Sequence, residues 1–462
     1  KEQSSWTDKE VSLGELSRIL YFSYGVTATI PYTPNPLLMR AAPSAGALYP
    51  NEIYVLAKQS YSPELDQAIY NYQAKTQSIC QVTSRDDDLW ENLSKACFDH
   101  PAITKSDLVL LISSVFTRGT WRYKDRAYRR ILLDTGHICG NLSLIAPCFD
   151  RQAILLGGFR DDHINALLDL EEMEEQAICL VALPRTGDLG EHQHKFNVYL
   201  SSDIAPDDPE LQEGPLLNSL HEFSKIHSTN DLQNVCPVDS KASLAQQENI
   251  KQMLCKESTS ATPLSWSSCS LLQSILKRRS AREYDSEIPL HKAELYQLLQ
   301  FAYKPEDNED EALFKILPAH FCQKDLLKTY VLVSKVSGLE AGCYLYQPEE
   351  NCLRQTRFRN LRKELYLACL EQKLCYDASV LLIQTCNLDE CLQVYGERAY
   401  RYLHMEAGYI AQKFNIAAIR LNLGASGIGG FFDDMMSDLL GLPKDDIILY
   451  INTLGIPADI AE

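Results

Sequence analysis

Residues 123–162 align with residues 395–434 without a gap, at a constant offset of 272, and 14 of the 40 positions are identical. Tyr123, Arg126, Ala127, Tyr128 and Arg129 recur as Tyr395, Arg398, Ala399, Tyr400 and Arg401, and Gly157-Gly158-Phe159 recurs as Gly429-Gly430-Phe431. Unrelated segments of that length would share about two or three positions, so the chain is an internal duplication and must fold as two copies of one unit. With 462 residues it can give each copy its own hydrophobic core.

Both copies have the order strand, loop, long helix, short strand ending in Gly-Gly-Phe-x-Asp-Asp, helix, strand. Asp107–Val115 and Ala378–Cys386 are apolar, β-branched runs of the kind that forms buried strands. The long helix carries an apolar stripe at Ala127, Ile131, Ile138, Leu142, Ile145 and Phe149, matched by Ala399, Leu403, Ile410, Phe414, Ala417 and Leu421. Each stripe is interrupted by an acid, Asp134 or Glu406, and two residues later by Gly136 or Gly408. A mid-helix glycine costs about 1 kcal/mol relative to alanine, so its retention in both copies points to close helix packing. For the acids, a structural ion pair with a nearby arginine is the expectation, ahead of a catalytic carboxylate. Upstream, Leu13–Tyr24 and Leu290–Tyr303 are matching amphipathic helices. The division expected is residues 1–186 and 266–462 as the two repeats, joined by a polar linker or cap at 187–265 that holds Pro206-Asp207-Asp208-Pro209-Glu210 and a helix candidate at Asn249–Lys256.

Charge and cysteine content remove several function classes. A net charge of −18 argues against nucleic acid and anionic membrane as partners. No apolar run is long enough to cross a bilayer and the N-terminus lacks a signal peptide's pattern, so a cytoplasmic location is expected. The 15 cysteines are odd in number and scattered, with no Cys-x-x-Cys pair, and are read as reduced, mostly buried residues. No metal site is expected; His192 and His194 are taken as a solvated loop.

Three segments can carry chemistry. Lys277-Arg278-Arg279-Ser280-Ala281-Arg282 opens a strand-like stretch after the helical Leu271–Leu276, and its guanidiniums match phosphate oxygens. Taken alone, it is more often a solvated face. Pro43-Ser44-Ala45-Gly46-Ala47-Leu48-Tyr49-Pro50 is a small-residue turn before the strand Glu52–Ala57. Its hydroxyl and backbone N–H groups could meet a planar ligand edge, although a plain turn is the better explanation if it stands alone. The Ile428-Gly429-Gly430-Phe431 and Leu156-Gly157-Gly158-Phe159 elements expose backbone at the end of a short strand, and neither matches a dinucleotide or Walker fingerprint. The first two segments are unevenly shared. Where the first copy has Pro43–Pro50, the second has Leu317-Pro318-Ala319-His320, without serine or glycine. Residues corresponding to Lys277–Arg282 would precede Trp6 and are absent; a chain that starts without methionine is compatible with truncation there.

In combination, Arg-Arg-Ser-x-Arg-x-Tyr, Pro-Ser-Ala-Gly-x-Leu-Tyr-Pro, Tyr-Gly-Glu-Arg-Ala-Tyr-Arg and Ile-Gly-Gly-Phe-x-Asp resemble the nitroreductase-like FMN enzymes. Among these, the chain looks most like the azoline dehydrogenases that mature microcin- and streptolysin-type peptides, and specifically like stand-alone cyanobactin thiazoline oxidases. The resemblance implies an α+β fold: tandem nitroreductase-like domains, each a mostly antiparallel sheet wrapped by helices, forming an intrachain pseudo-dimer. It implies that Arg278, Arg279 and Ser280 hold the FMN phosphate and ribityl chain and that Arg282 lies by the pyrimidine edge. Ile428, Gly429 and Gly430 would approach the N5 edge, and Pro43, Ser44, Ala45 and Gly46 would reach the flavin from the partner repeat. One FMN per chain is then expected.

The family's catalytic Lys-Tyr pair is replaced by Arg122-Tyr123 in the first copy and Val394-Tyr395 in the second. Tyr123 is therefore the candidate base, with Arg122 as the neighbouring cation that favours its ionised form. The implied partners are a heterocyclised precursor peptide and dioxygen, with association of two chains into a homodimer left open. Two other readings stand beside this one: another FMN oxidoreductase, such as a nitroreductase or small dehydrogenating oxidase, and a flavin-free duplicate that docks peptides.

Overall fold

The computed structural model describes residues 11–32, 34–170, 174–189, 200–202, 216–227, 256–258, 262–304 and 320–458. His192, His194, the segment 206–210 and the stretch 317–319 lie outside the described residues, as does all of the helix candidate at 249–256 except Lys256, which begins a strand. The chain divides into two compact units, one of residues 1–233 with 316–321, the other of 234–315 with 322–462.

The first unit opens with α1 (Val11–Tyr24) and a hairpin of β1 (Val26–Ile30) and β2 (Leu37–Arg40). There follow β3 (Asn51–Ala57), β4 (Ile69–Gln73), β5 (Ser78–Gln81), α2 (Leu89–Ala96), α3 (Pro101–Lys105) and β6 (Leu108–Val115). Next come α4 (Thr117–Tyr123), the long α5 (Ala127–Ile145), β7 (Ile154–Leu156), α6 (Asp161–Leu167), β8 (Glu175–Ala182) and α7 (Leu216–Phe223). Six of the strands form one sheet, in the order β5-β4-β3-β6-β8-β7, every neighbouring pair antiparallel. Residues of one sheet face, among them Leu56, Val109, Leu111 and Leu180, bury with Leu93, Ile103 and Ile164 from α2, α3 and α6.

Arg151 is fully buried at the sheet end and would be prohibitively costly without counter-charges. It donates to the Glu15 carboxylate of α1, to the Leu183 carbonyl, and at 2.7 Å to Asp107, where β6 begins. α1 also packs directly on α5.

The second unit repeats the plan. Its elements are β9 (Lys256–Ser258), α8 (Ser268–Lys277), β10 (Leu290–His291), α9 (Lys292–Tyr303), β11 (Leu327–Val333), β12 (Val336–Ser337), β13 (Gly342–Gln347) and β14 (Cys352–Arg357). α10 (Arg362–Ala368), α11 (Lys373–Asp377), β15 (Val380–Asn387), α12 (Leu388–Tyr395), the long α13 (Ala399–Arg420), β16 (Gly424–Ile428), α14 (Asp433–Leu440) and β17 (Asp446–Gly455) complete it. Its main sheet, β16-β17-β15-β11-β13-β14-β9, is antiparallel throughout, which bears out the expected fold class. Local signals set the helix starts. Ser267 and Ser270 form a capping box at α8, and Asn387 accepts from the Glu390 amide at α12.

One expectation needs correcting. Lys277–Arg282 does not open a strand: Lys277 ends α8, Arg278 caps it, and only isolated pairings follow, Ala281 N–H to Ala425 O at 2.9 Å and Tyr284 opposite Pro457.

The offset of 272 carries down to backbone angles. Lys124 has φ 49° and ψ −137°, and its counterpart Gly396 has φ 56° and ψ −153°. Only glycine adopts such angles without strain, and a side chain there costs of order 1–3 kcal/mol. Lys124→Gly is therefore expected to raise the unfolding free energy by about 1 kcal/mol, measured by urea denaturation, while Gly396→Ala lowers it.

Candidate active site

In the first unit the site is built around the turn between β2 and β3. Gly46 has φ 64°, a left-handed angle that lets the chain reverse within three residues. The turn is held from beneath by Asp134, two-fifths of the way along α5 and buried. Its carboxylate accepts from the Ser44 hydroxyl at 2.6 Å and from the Ala45 N–H at 3.2 Å. Ser44 Oγ in turn accepts from the Tyr49 N–H at 2.9 Å. The expectation of an arginine ion pair for Asp134 is thus replaced by hydrogen bonds to the turn, because the stripe of α5 brings the carboxylate under Ser44. Ser44 directs its hydroxyl proton inward as well, toward Asp134.

Burial pushes the Asp134 carboxyl up to about 7, against the pull of the Ser44 and Ala45 hydrogen bonds and the Arg130 charge. On the same side, burial raises the Tyr24 phenol, with Arg40 opposing and Asp134 adding to the rise.

Tyr123, the last residue of α4, lies on the upper side of the turn. A Cβ added at Gly46 would sit 2.5 Å from the Tyr123 hydroxyl and 3.3 Å from an Arg122 nitrogen, so both candidate catalytic side chains meet the Gly46 backbone. Arg130 stands 4.1 Å from the centre of the Tyr123 ring and Arg122 5.5 Å, which places two guanidiniums beside the phenol. Pro43, Ser44 and Ala45 are half-buried, Gly46 and Arg122 exposed.

In the second unit, the hydrogen bond from Ala281 to Ala425 lays the arginine segment along β16, so that it runs beside the strand that ends in Ile428-Gly429-Gly430. Gly424 fits closely here, since a Cβ there would sit 3.0 Å from the Ala281 and Tyr284 side chains. Arg278 is almost fully buried; Arg279 donates to the Leu276 carbonyl at 3.1 Å at the C-terminal end of α8, where a cation is favoured. Ser280 is half-buried and Arg282 exposed. Gly430 is fixed through its carbonyl, which accepts from Gln372 at 3.0 Å.

Two residues escaped the sequence reading. Asn452 pairs with Gly427 across β16 and β17, is 1% exposed, and its side-chain amide has no hydrogen-bond partner among the described residues. An amide inside the apolar run Ile447–Ile451 and Leu454 was the available signal. The other is Leu200. In the first unit, a Cβ at Gly158 would lie 3.0 Å from the Leu200 side chain, which is 2% exposed and seated on the Gly157-Gly158 edge. Around it, the Ile226 N–H donates to Asp161 at 3.0 Å and Lys225 pairs with Asp162 at 3.0 Å, so chain following the first repeat packs against Gly158 and both aspartates of the Gly-Gly-Phe-x-Asp-Asp segment.

The sequence model of the nitroreductase family matches residues 5–185 and 275–456. The chain belongs to the nitroreductase family. A crystal structure of a candidate nitroreductase from Anabaena variabilis is 39% identical, with a TM-score of 0.85 over 99% of this chain and 90% of that one. The candidate nitroreductase MJ1384 of Methanocaldococcus jannaschii is 36% identical over 175 residues, 38% of this chain and 86% of that protein. The microcin B17-processing protein McbC of Escherichia coli is 28% identical over 145 residues, 30% of this chain, and the match spans 52% of McbC. As a nitroreductase-family chain related to McbC, the protein is an oxidoreductase. No described helix is long and apolar enough to cross a membrane, and the described residues hold no cluster of metal ligands.

Asp134 should leave a pH signature. Its folded carboxyl keeps a proton to about pH 7, whereas the ordinary value is 3.8. The stability it contributes is therefore fully present below the unfolded value and is lost as the pH rises through the folded one. Measured as Tm against pH, wild type is expected to lose ground to Asp134→Asn between about pH 4 and about pH 7 and to run parallel above that.

Proposed function

We propose that this nitroreductase-family protein is an FMN-dependent oxidase that dehydrogenates thiazolines or oxazolines in a ribosomal peptide to thiazoles or oxazoles, as in cyanobactin-like maturation. The observation that carries the reading is the Tyr123 hydroxyl held against the Gly46 turn between two guanidiniums. The relationship to a microcin-processing protein supports the peptide substrate.

The residues suit FMN. A buried arginine at 278 beside the exposed Arg282 offers cations to a phosphate and to an anionic ring edge, and the unpartnered Asn452 amide beside Gly427 is the kind of buried polar group a polar ring satisfies. In this reading Arg278, Arg279 and Ser280 hold the phosphate and ribityl chain. Arg282 lies by the pyrimidine edge, Ile428, Gly429 and Gly430 lie by N5, and Pro43, Ser44, Ala45 and Gly46 complete the site. Leu200 on the Gly158 edge supports one flavin per chain, because the first repeat's corresponding edge is filled by the protein itself.

Aromatisation removes a hydride from one ring carbon and a proton from its neighbour. Bound FMN supplies the acceptor for the hydride, with dioxygen as the final oxidant. Tyr123 takes the proton, Arg122 and Arg130 stabilise the charge at its ring, and the Asp134 clamp keeps the turn from yielding as the peptide binds. The protein would work in the cytoplasm on a heterocyclised precursor.

A second reading, a nitroreductase driven by NAD(P)H, is favoured by the names of the Anabaena and Methanocaldococcus relatives. Steady turnover of a nitroaromatic with NAD(P)H, and none of a thiazoline peptide, would select it.

Purified protein is expected to release about one FMN per chain; a value near two would overturn the single-site assignment. Arg278→Ala should lower flavin content at least about 10-fold, consistent with loss of a charge-assisted phosphate contact. Tyr123→Phe should retain flavin yet slow azole formation by about 100-fold, followed by mass spectrometry as the loss of two hydrogens per ring, whereas Tyr395→Phe should have little effect on the rate.

A further inference from the structure

The helix that follows the second Gly-Gly-Phe segment is apolar on two sides. α14 buries Met436 and Leu440 in the core of its unit, and on its outer side it carries Met435 and the half-buried Leu439, a stripe that Phe432 at the helix start continues. Phe432 is 54% exposed and Met435 39%, so this outer stripe is left uncovered. Met435, Asp438 and Leu439 line a cavity of about 270 Å³ together with Arg357 and Arg359, which lie where β14 runs toward α10. Phe358, between those two arginines, is 65% exposed.

The charges of this face are as unusual as its apolar content. Residues 357–363 hold four cations in seven positions, in a chain of net charge −18. Two of the four are engaged: Arg359 pairs with Glu364 at 3.1 Å, and the Arg362 guanidinium lies 5.5 Å from the centre of the Tyr376 ring. Arg357 is set over Gly441, where an added Cβ would collide with its guanidinium. It has no ion-pair partner among the described residues, and neither has Asp438, although the two line the same cavity. A cation and a carboxylate are therefore both open to a partner here, beside exposed apolar side chains.

We propose that this face binds a second copy of the same chain across a two-fold axis, with Arg357 of each copy pairing with Asp438 of the other around a centre of Phe358, Met435 and Leu439. A two-fold contact brings a patch against itself, so the patch must be self-complementary, and one that carries an open cation, an open carboxylate and an apolar stripe meets that condition. Two chains of net charge −18 repel in most approaches, and the repulsion is weakest where cations gather. An acidic partner of another kind would satisfy the arginines but press its charge on Asp434 and Asp438; a basic one would meet the four cations. A second copy answers both signs.

The inference does not depend on the oxidase reading, and its test is the association of the purified full chain. Sedimentation velocity over about 0.1 to about 100 μM should show a monomer–dimer equilibrium. Arg357→Asp and Asp438→Arg each set like charges against one another and should weaken dimerisation at least about 10-fold. Asp438→Arg also makes each copy less negative, so its loss of affinity would run against the general repulsion and report the local pair. The double variant Arg357→Asp/Asp438→Arg exchanges the two charges and should return the dissociation constant to within about 3-fold of wild type, which separates an interface from a folding defect. Salt is a poor probe here, because it screens the repulsion and the pairs alike. A wild type that stays monomeric at about 100 μM, a dimer that neither single variant weakens, or a double variant no better than the singles overturns the proposal.

Discussion

A carboxylic acid buried on the stripe of a long helix must find donors, and in the first repeat the nearest ones belong to a turn. Asp134 takes the Ser44 hydroxyl and the Ala45 amide, and this anchors the turn. With Ser44 fixed, the Tyr49 amide is fixed through it, the chain reverses at Gly46, and Gly46 is brought against Tyr123. The Tyr49 hydroxyl in its turn accepts from the Arg40 N–H, and the Tyr49 ring lies against the Arg40 guanidinium, so the clamp also orders the end of the β1–β2 hairpin. Desolvation makes the same clamp sensitive to protons near neutrality, a property a surface carboxylate would lack.

The two repeats share a scaffold. Equivalent helices start at Ala127 and Ala399, equivalent sharp turns precede them at Lys124 and Gly396, and equivalent sheets lie beneath. What differs is what has been laid on that frame. The second repeat runs an arginine segment beside its Gly-Gly edge, while the first keeps the small-residue turn and covers its own edge with Leu200.

Much of this was legible from residue types. The duplication fixed two copies of one unit, the resemblance to the nitroreductase-like enzymes its antiparallel sheet, and strands such as Leu108–Val115 fell within a residue or two of where their apolar runs placed them. Glycine and small residues marked the turn correctly, because positive φ and close approach admit little else. The partner of Asp134 was not legible, since an acid on a helix stripe reads equally well as half of an ion pair, and Ser44 lies 90 residues away. Nor was the irregular course of Arg278–Arg282, which caps α8 and meets β16 through the Ala281 N–H without forming a strand. Asn452 and Leu200 escaped for opposite reasons: one is a polar residue inside an apolar strand, the other an ordinary leucine whose importance lies only in what it touches.

Leu200 bears on how duplicated genes keep their motifs. The first Gly-Gly-Phe-x-Asp-Asp segment is the seat of a leucine, and its two aspartates tie down the chain around that leucine, one receiving the Ile226 amide and the other the Lys225 ammonium. Change at these positions would take an ion-pair partner from a buried lysine and loosen the packing on Leu200. Identity between the repeats therefore measures shared architecture there, and the same motif in this half of the chain serves as a seat for the protein's own side chains.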